Sequence, residues 1–574
     1  MNLIDVPFSA YGSYMSVYYY CKEKSHIMYE KNLNNGLYIK SLRGKSRSNA
    51  EVVQLNPLVN GNLVEYEYEA DYSKIDMKFN EGKISLCFDG DSRILIKGTG
   101  KNIGLRLDCM PVSKYDYNFE LQDSNGLYCI INSYKSLTKY IVKSIKGNLN
   151  LFQEFNSSML GSLSSYIDIT SDEDEEFLLL FEEVPTHMNK PTEKNYIFEE
   201  SLKNMENEFN IFYEKFPRVP EEFKETLKLA AYVDWSCVCK KDGLLGRDTM
   251  SMANNVFPGI WSWDHCFNAL ALAGSHNELA WDQMMIIFDH QDKYGQLPGS
   301  VSDSTIRWNF AKPPIHGLFI EKMMERMEFS ESQLIEAYEC LEKQISFWLN
   351  YKDMNNDGIC EYHHGNDSGY DNSTVFLKGF IVDSPDLSVY IIKAMDTLAL
   401  ISEKLGKDSD KAEWKRRADE LTEKTIRYFI KDGLPIAHDV ISNEIIYSES
   451  ILPYTILLLG NRLPKDVQKN IINILKTKHL TEYGLSTEAL DSKYYESDGY
   501  WRGPIWAPTT VIIIYGLEEC GEKEFADELK LRFCKLIKKG GCAENFDAIT
   551  GEGLCDRAHT WTSSSFIYLS GLLK

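Results

Sequence analysis

The sequence predicts a multidomain chain, with an N-terminal β-sandwich followed by a C-terminal all-α toroid. Three observations predict it. Up to about residue 200, apolar and polar residues alternate, and runs are broken by Gly, Asn and Asp. From about 219 onward, apolar residues recur at i, i+3, i+4 and i+7. At least ten such helical runs follow one another in about 355 residues, which is the density of stacked helix hairpins. No strict repeat accompanies them, so a regular solenoid is the weaker reading.

The first half shows its period in "LVEYEYEADYSKIDMKFNEGKISLCFDGDSRILIKGTG" (63–100), cut by the turns "NEGK" and "DGD". "EFLLLFEEV" (176–184) reads as a last strand. Residues 1–190 are therefore expected to form the β-sandwich domain. "PTEKNYIFEESLKNMENEFNIFYEKF" switches to helical spacing, so 191–218 is expected to be a linker helix. The rest, 219–574, is expected to be the helical domain. Clear helical runs are 221–239, 278–291, 331–351, 384–406, 410–430, 465–477, 508–521 and 523–539. Ser384 before Pro385 marks a helix start, and Gly406 and Gly521 mark stops.

Charge and composition narrow the partners. The 574 residues carry 62 basic and 85 acidic side chains, a net −23. Nucleic acid and anionic membrane both require a basic face, so neither is expected. A neutral carbohydrate needs no such face. The thirteen cysteines are scattered, and Cys237 and Cys239 lack a second pair to complete a zinc site. Reduced thiols, no secretory leader and no membrane-length apolar run point to the cytoplasm. No metal and no cofactor are expected. "DMNNDGICEYHH" (353–364) starts like an EF-hand loop, but its twelfth position is His364 instead of a bidentate Glu.

Four segments interrupt the helical pattern with carboxylates and aromatics. "FPGIWSWDHCFNALAL" (257–272) sets Trp261, Trp263 and Asp264 before an apolar helix. It reads either as a capped helix start with core tryptophans or as a sugar platform, indole faces stacking on pyranose C–H groups. "HHGNDSGYDNSTVF" (363–376) holds Asp367 and Asp371, in either a solvated loop or a catalytic one. "YYESDGYWRGPIWAPTTV" (494–511) crowds Tyr500, Trp501, Arg502 and Trp506 around a Gly-Pro turn. "GGCAENFDAITGEG" (540–553) carries Glu544 between two breaks, where a polar turn is the plain alternative. Together these supply two carboxylates and an aromatic pocket. Glycoside hydrolysis needs those parts, one carboxyl protonated and one ionised.

"GIWSWDHCF", "DSGYDNS", "GYWRGPIW" and "ENFDAITGEG", in this order, resemble the processing α-glucosidase I family and its bacterial relatives, glycoside hydrolase family 63. That group includes mannosylglycerate and glucosylglycerate hydrolases, with trehalases related to it. The resemblance covers roughly 220–574 and implies an (α/α)6 barrel and inversion at an α-linked sugar. It implies that Asp371 is the acid and Glu544 the base, with Phe546 replacing the usual Tyr. Asp367 stands where the family has Glu. By the same resemblance, Trp261, Trp263 and Asp264 enter the sugar subsite, and Trp501, Arg502 and Trp506 join them. Asn372 and Ser368 would hold the acid's loop. Asp367, Asn372 and Trp561 complete the expected substrate-binding set.

The leading expectation is an inverting, exo-acting α-glycosidase, foremost an α-glucosidase on a small oligosaccharide or glucoside. An α-L-rhamnosidase or trehalase-like enzyme is the alternative within the class. A non-catalytic carbohydrate-binding toroid is the alternative outside it. An isomerase on the same scaffold would usually show paired catalytic histidines, and the adjacent His363 and His364 would point apart.

Overall fold

The computed structural model describes residues 1–24, 33–44, 50–124, 126–157 and 161–573. Its first part is sheet. The strands are β1 (Met15–Tyr20), β2 (Gly36–Ser41), β3 (Glu51–Val59), β4 (Asn62–Leu63), β5 (Glu67–Ala70), β6 (Ile75–Phe79), β7 (Gly82–Phe88) and β8 (Arg93–Gly100). They continue as β9 (Ile103–Cys109), β10 (Tyr117–Asp123), β11 (Gly126–Ser133), β12 (Thr138–Lys146), β13 (Asn148–Asn156), β14 (Gly161–Thr170) and β15 (Glu176–Val184). One sheet runs β1-β2-β3-β9-β14-β13, with β4 paired to β3; the other runs β10-β11-β12-β15-β8-β7-β6-β5.

Alternation explains how the second sheet is covered. Leu86, Ile94, Ile96, Leu179 and Phe181 belong to the same apolar cluster as Val17, Ile39, Leu55 and Leu105 of the first sheet. Their neighbours Cys87, Leu95 and Leu180 point the other way, into a separate cluster with Tyr196 and Phe198. The expected linker segment thus supplies a lid for that outer face. Helix α1 (Phe198–Glu214) then buries Met205, Phe209 and Phe212 along one stripe.

The second part is helical: α2 (Lys224–Ser236), α3 (Asp264–Leu272), α4 (Asn277–Met285), α5 (His316–Met324), α6 (Glu331–Tyr351) and the short turn α7 (Gly365–Ser368). Next come α8 (Pro385–Lys404), α9 (Asp408–Phe429), α10 (Lys465–Ile474), α11 (Ala507–Glu519), α12 (Lys523–Gly540) and α13 (Thr560–Ser570). The stretch Leu452–Arg462 is helical in tighter 3-10 geometry. Helix α8 starts after Ser384 with Pro385 in its first turn, as the sequence predicts. Gly406 and Gly521 follow α8 and α11 with φ of +69° and +86°. No helix among the described residues is long and apolar enough to cross a membrane. The cysteines are unpaired, and most are buried.

Two kinds of helix divide the work. Helices α9 and α12 bury one stripe and present charge on the other side. Helices α3 and α13 are buried over their whole length. In α13, "TWTSSSFIYLS", burial extends to hydroxyls, so each needs a partner. Ser564 Oγ donates to Asp234 of α2 at 3.0 Å and lies 3.1 Å from Asn268 Oδ1 of α3, while the Asn268 amide donates to Thr560 at 3.1 Å. Burial pushes the Asp234 carboxyl up to about 8.

Close helix approach has a specific site. A Cβ on Gly317 of α5 would lie 2.4 Å from the Ala394 Cα of α8. The Thr397 hydroxyl of α8 donates to the Gly317 carbonyl at 2.9 Å. Gly317→Ala is therefore expected to push α5 from α8 and lower stability by about 1–3 kcal/mol, measured by chemical denaturation.

Candidate active site

The four loops singled out in the sequence meet around one cavity of about 640 Å³. Trp261, Trp263, Asp264, Asp371, Trp501, Glu544 and Trp561 line it. Asp367, Asn372, Arg502 and Trp506 do not. Their partners show what they do instead.

The first loop reaches the cavity through a short strand, Ile260–Trp261, paired with Ser300–Val301. Helix α3 starts directly after it, which sets Asp264 in the first turn. A carboxylate is favoured at a helix N-terminus. Burial overrides this and pushes the Asp264 carboxyl up to about 7, with Lys312 pulling it down. Trp263 lies over Gly369, where a Cβ would come within 2.6 Å of the indole. Gly369 has φ +79°, so Gly suits both the turn and the ring.

Asp371 follows that glycine. Its loop is tied down on both sides. The Tyr370 hydroxyl and the Thr509 hydroxyl are 2.8 Å apart. Ser368 Oγ donates to the Gly365 carbonyl at 2.7 Å. Asn372 joins this loop to the 494–506 loop: its amide donates to the Gly499 carbonyl at 3.0 Å and its Oδ1 accepts the Trp501 N–H at 2.9 Å. Arg502 Nε donates to the Asn372 carbonyl at 2.6 Å. Asp367 is buried and accepts the Ala311 and His363 amides at 3.1 and 3.3 Å. Asn372, Arg502 and Asp367 therefore hold loops together behind the cavity wall.

Glu544 is fully buried. Tyr500 Oη donates to its Oε1 at 3.3 Å, and the Asp556 amide lies 3.4 Å from its Oε2. Burial first, then the Asp556 carboxylate, pushes its carboxyl up to about 8; the Asp556 amide and the Tyr500 hydroxyl pull it back. Phe546 keeps this loop beside the 494–506 loop by exchanging backbone hydrogen bonds with Ile505 at 2.7 and 3.0 Å. Trp561 Nε1 donates to the Glu544 carbonyl at 3.0 Å.

The tryptophans form a stack with edges. Trp501 and Trp506 lie face to face, centroids 3.9 Å apart and planes at 9°. Trp506 donates to the Tyr500 carbonyl at 2.8 Å and is hidden behind Trp501. Trp263 packs 6.0 Å from Trp501, and Trp561 meets both edge-on. These rings are buried, as the core reading expects, and all but Trp506 also border the cavity.

Several cavity residues lie outside the sequence-derived set, among them Arg307, Phe310, Lys312, Tyr500 and His559. Tyr500 carries a left-handed backbone, φ +61°, a strained conformation for a non-glycine residue. It stands inside a motif already marked as aromatic. Lys312 had a signal too, as a lone cation before Pro313-Pro314 in an otherwise apolar run.

For metals, His265, Cys266 and His316 place ligand atoms within 4.8 Å of one another. They are buried in α3 and α5 and do not line the cavity. In the segment resembling an EF-hand, Asp353 accepts the Asp357 and Gly358 amides at 3.0 and 2.8 Å, which accounts for its carboxylate. A wider cavity, about 830 Å³, lies between Asp91 and Arg93 of the sheet half and Glu278 and Asp282 of the helical half. It contains none of the four motifs.

Trp506→Ala is expected to cost about 3–5 kcal/mol of stability, because it empties a closed stack. Trp261 is partly exposed. Trp261→Ala is expected to leave the denaturation midpoint nearly unchanged while weakening sugar binding by calorimetry.

Residues 257–562 match the family model described as the mannosylglycerate hydrolase MGH1-like glycoside hydrolase domain. A glucosylglycerate hydrolase of Mycolicibacterium hassiacum is 21% identical over 427 residues, covering 56% of this chain and 95% of that protein. A family 63 mannosylglycerate hydrolase structure from Thermus thermophilus aligns with TM-score 0.53 and 18% identity, covering 60% of this chain and 99% of that one. A bacterial glucoamylase structure aligns over 100% of this chain and 94% of its own, with TM-score 0.62 and 11% identity, a likeness of fold that includes the sheet half. The chain belongs to the mannosylglycerate hydrolase MGH1-like glycoside hydrolase domain family, and it is a glycoside hydrolase of the family 63 type.

Proposed function

We propose that the protein is an inverting, exo-acting α-glycosidase that hydrolyses a small α-glycoside. The observation that carries the reading is one aromatic cavity lined by four carboxyl groups, of which Asp371 and Glu544 reach in from separate loops in unlike surroundings. Asp371 is partly exposed and touches a cation; Glu544 is buried under Tyr500. The helical half is read as an (α/α)6 toroid. Its support is the packing succession α3, α5, α8, 452–462, α11, α13 and back to α3, with α2, α4, α6, α9 and α12 packed against members of that series. Loops on one rim of such a ring can all reach one cavity.

In this reading Asp371 protonates the leaving oxygen, and Glu544 takes a proton from water attacking the opposite face of the sugar. Asp264 accepts hydrogen bonds from sugar hydroxyls, and the indoles of Trp261, Trp263 and Trp501 supply stacking surface. An α-glucoside is the first substrate class to test. The names of the relatives add glucosylglycerate and mannosylglycerate. A second reading exchanges the two roles. It is favoured by the cation beside Asp371 and by the burial that keeps a proton on Glu544.

The test is hydrolysis of aryl α-glycosides, α-glucobioses, glucosylglycerate and mannosylglycerate, with proton NMR of the first sugar released. A β-anomer is expected, and a product of retained configuration overturns inversion. Glu544→Gln is expected to abolish turnover on every ordinary glycoside in the panel. Asp371→Asn is expected to lose about 10²- to 10⁴-fold on a disaccharide. It should lose far less on a glycosyl fluoride, which needs no protonation. The reverse pattern would exchange the roles. Sugar binding without turnover in the unmodified protein would favour a carbohydrate-binding toroid.

The pH dependence follows from Glu544. A base raised to about 8 becomes active only as pH rises through that range, so the acid limb of kcat/KM is expected above the ordinary carboxylate range. The Tyr500 hydroxyl stabilises the ionised form. Tyr500→Phe removes that bond and is expected to move the acid limb further up.

A further inference from the structure

Lys312 occupies an unusual position for a lysine. Its side chain is nearly fully buried, at the start of the Pro313-Pro314 segment that leads into α5. An ammonium has three protons to donate. Here Nζ meets the Asn366 carbonyl at 2.8 Å, Asn366 Oδ1 at 2.7 Å and Asp371 Oδ1 at 3.2 Å. All three acceptors lie in the loop that carries Asp371. One residue earlier, the Ala311 amide donates to Asp367 in the same loop. The segment 311–312 is thus fastened to that loop at two successive positions. The proline pair that follows holds Lys312 in extended backbone.

We propose that Lys312 is the positioning residue for Asp371, its ammonium clamping carboxyl oxygen Oδ1 so that Oδ2 is the oxygen that exchanges a proton during the reaction. This rests on Asp371 being one of the two reacting carboxyls. A cation in contact with a carboxyl group favours its carboxylate form over the acid. Other groups facing the cavity are Asp264, Arg307, Asp498, Tyr500, Glu544 and His559. Asp264, Asp498 and Glu544 oppose the pull of Lys312 on the Asp371 proton when ionised, and Arg307 adds to it. His559 is held neutral by burial, and the Tyr500 hydroxyl keeps its proton. Asp367, in the same loop, opposes it from behind. Lys312 differs from all of these in touching the Asp371 carboxyl directly.

The experiment is the pH profile of kcat/KM for Lys312→Met, Lys312→Gln and Lys312→Arg, on the best-hydrolysed disaccharide or glycosylglycerate, with thermal melts as a check on folding. Met removes charge and hydrogen bonds. Gln removes charge but can still bond Asn366. Arg keeps charge. Lys312→Met and Lys312→Gln are expected to shift one limb upward by about one pH unit or more. Lys312→Arg is expected to leave both limbs in place. Gln is expected to recover part of the kcat lost by Met. If the basic limb moves, Lys312 acts on Asp371 as acid. If the acid limb moves, Lys312 still acts on Asp371, but Asp371 is the base and the acid assignment fails. If activity drops while neither limb moves, the clamp is merely structural and the proposal is overturned. Lys312→Gln keeps the test open should Lys312→Met fail to fold. Adding Lys312→Met to Asp371→Asn is expected to shift neither limb further; a further shift would show that the lysine acts on another carboxyl and would also overturn the proposal.

Discussion

The arrangement depends on keeping the Glu544 carboxyl out of water. A buried carboxyl without donors is costly, and its proton is retained until something stabilises the charge. Two donors approach it, Tyr500 Oη and the Asp556 amide. Each is itself held. Tyr500 sits at a strained φ beneath Trp506, whose Nε1 donates to its carbonyl. Asp556 accepts the Val256 amide at 3.1 Å and the Ala558 amide at 2.9 Å. Its Oδ1 also takes the Asn255 amide at 3.3 Å. The chain of support then leaves the helical half. Lys40, in strand β2, donates to the Asn255 carbonyl at 2.7 Å; burial raises the Asp556 carboxyl, and the Lys40 charge is among the groups that pull it back. The sheet half therefore reaches the buried carboxyl through two intermediaries, and none of its described residues lines the cavity.

The same burial gives the tryptophans a double duty. A cavity that stacks a sugar needs flat apolar walls, and flat walls keep their orientation only when packed from behind. Trp506 stands behind Trp501, and Trp561 wedges between them and Trp263. Cavity wall and core are one stack. Polar residues assigned to the sugar by motif turn out to serve the same rigidity: Asn372 and Arg502 spend their hydrogen bonds on joining two loops, and Asp367 spends its own on the 311–312 segment.

Legibility in the sequence followed burial only in part: α8 and α11 are buried almost throughout, yet both were readable, α8 between its Ser-Pro start and Gly406 and α11 up to Gly521. Helices with one wet face, such as α9 and α12, carry the 3.6-residue period and were readable within a few residues of their ends. Helices α5 and α13 and the 452–462 stretch were not singled out. Each is buried nearly all round, so its polar and apolar residues show no facing stripe. The buried Ser564 of α13 finds its partners in Asp234 and Asn268, about 300 residues away along the chain. Sheet strands were readable where alternation is clean, as in 63–100. The function of 191–216 as cover for the outer sheet face was not, because Phe198 meets Cys87 and Leu95 only across more than a hundred residues of chain.

By itself, the sequence determined the switch from period two to period 3.6, a net charge of −23, and four loops rich in carboxylate and indole. Those are local properties, readable from neighbours along the chain. It also marked Asp371 and Glu544, because their motifs are short and contiguous. Only the tertiary structure decided which marked residues face the cavity and which brace it, since that depends on the side of a loop each residue occupies. It alone brought Lys312 to Asp371, 59 positions apart, and Tyr500 to Glu544, 44 apart. Proton affinity is set by such through-space neighbours and by loss of water, and neither is written in local spacing.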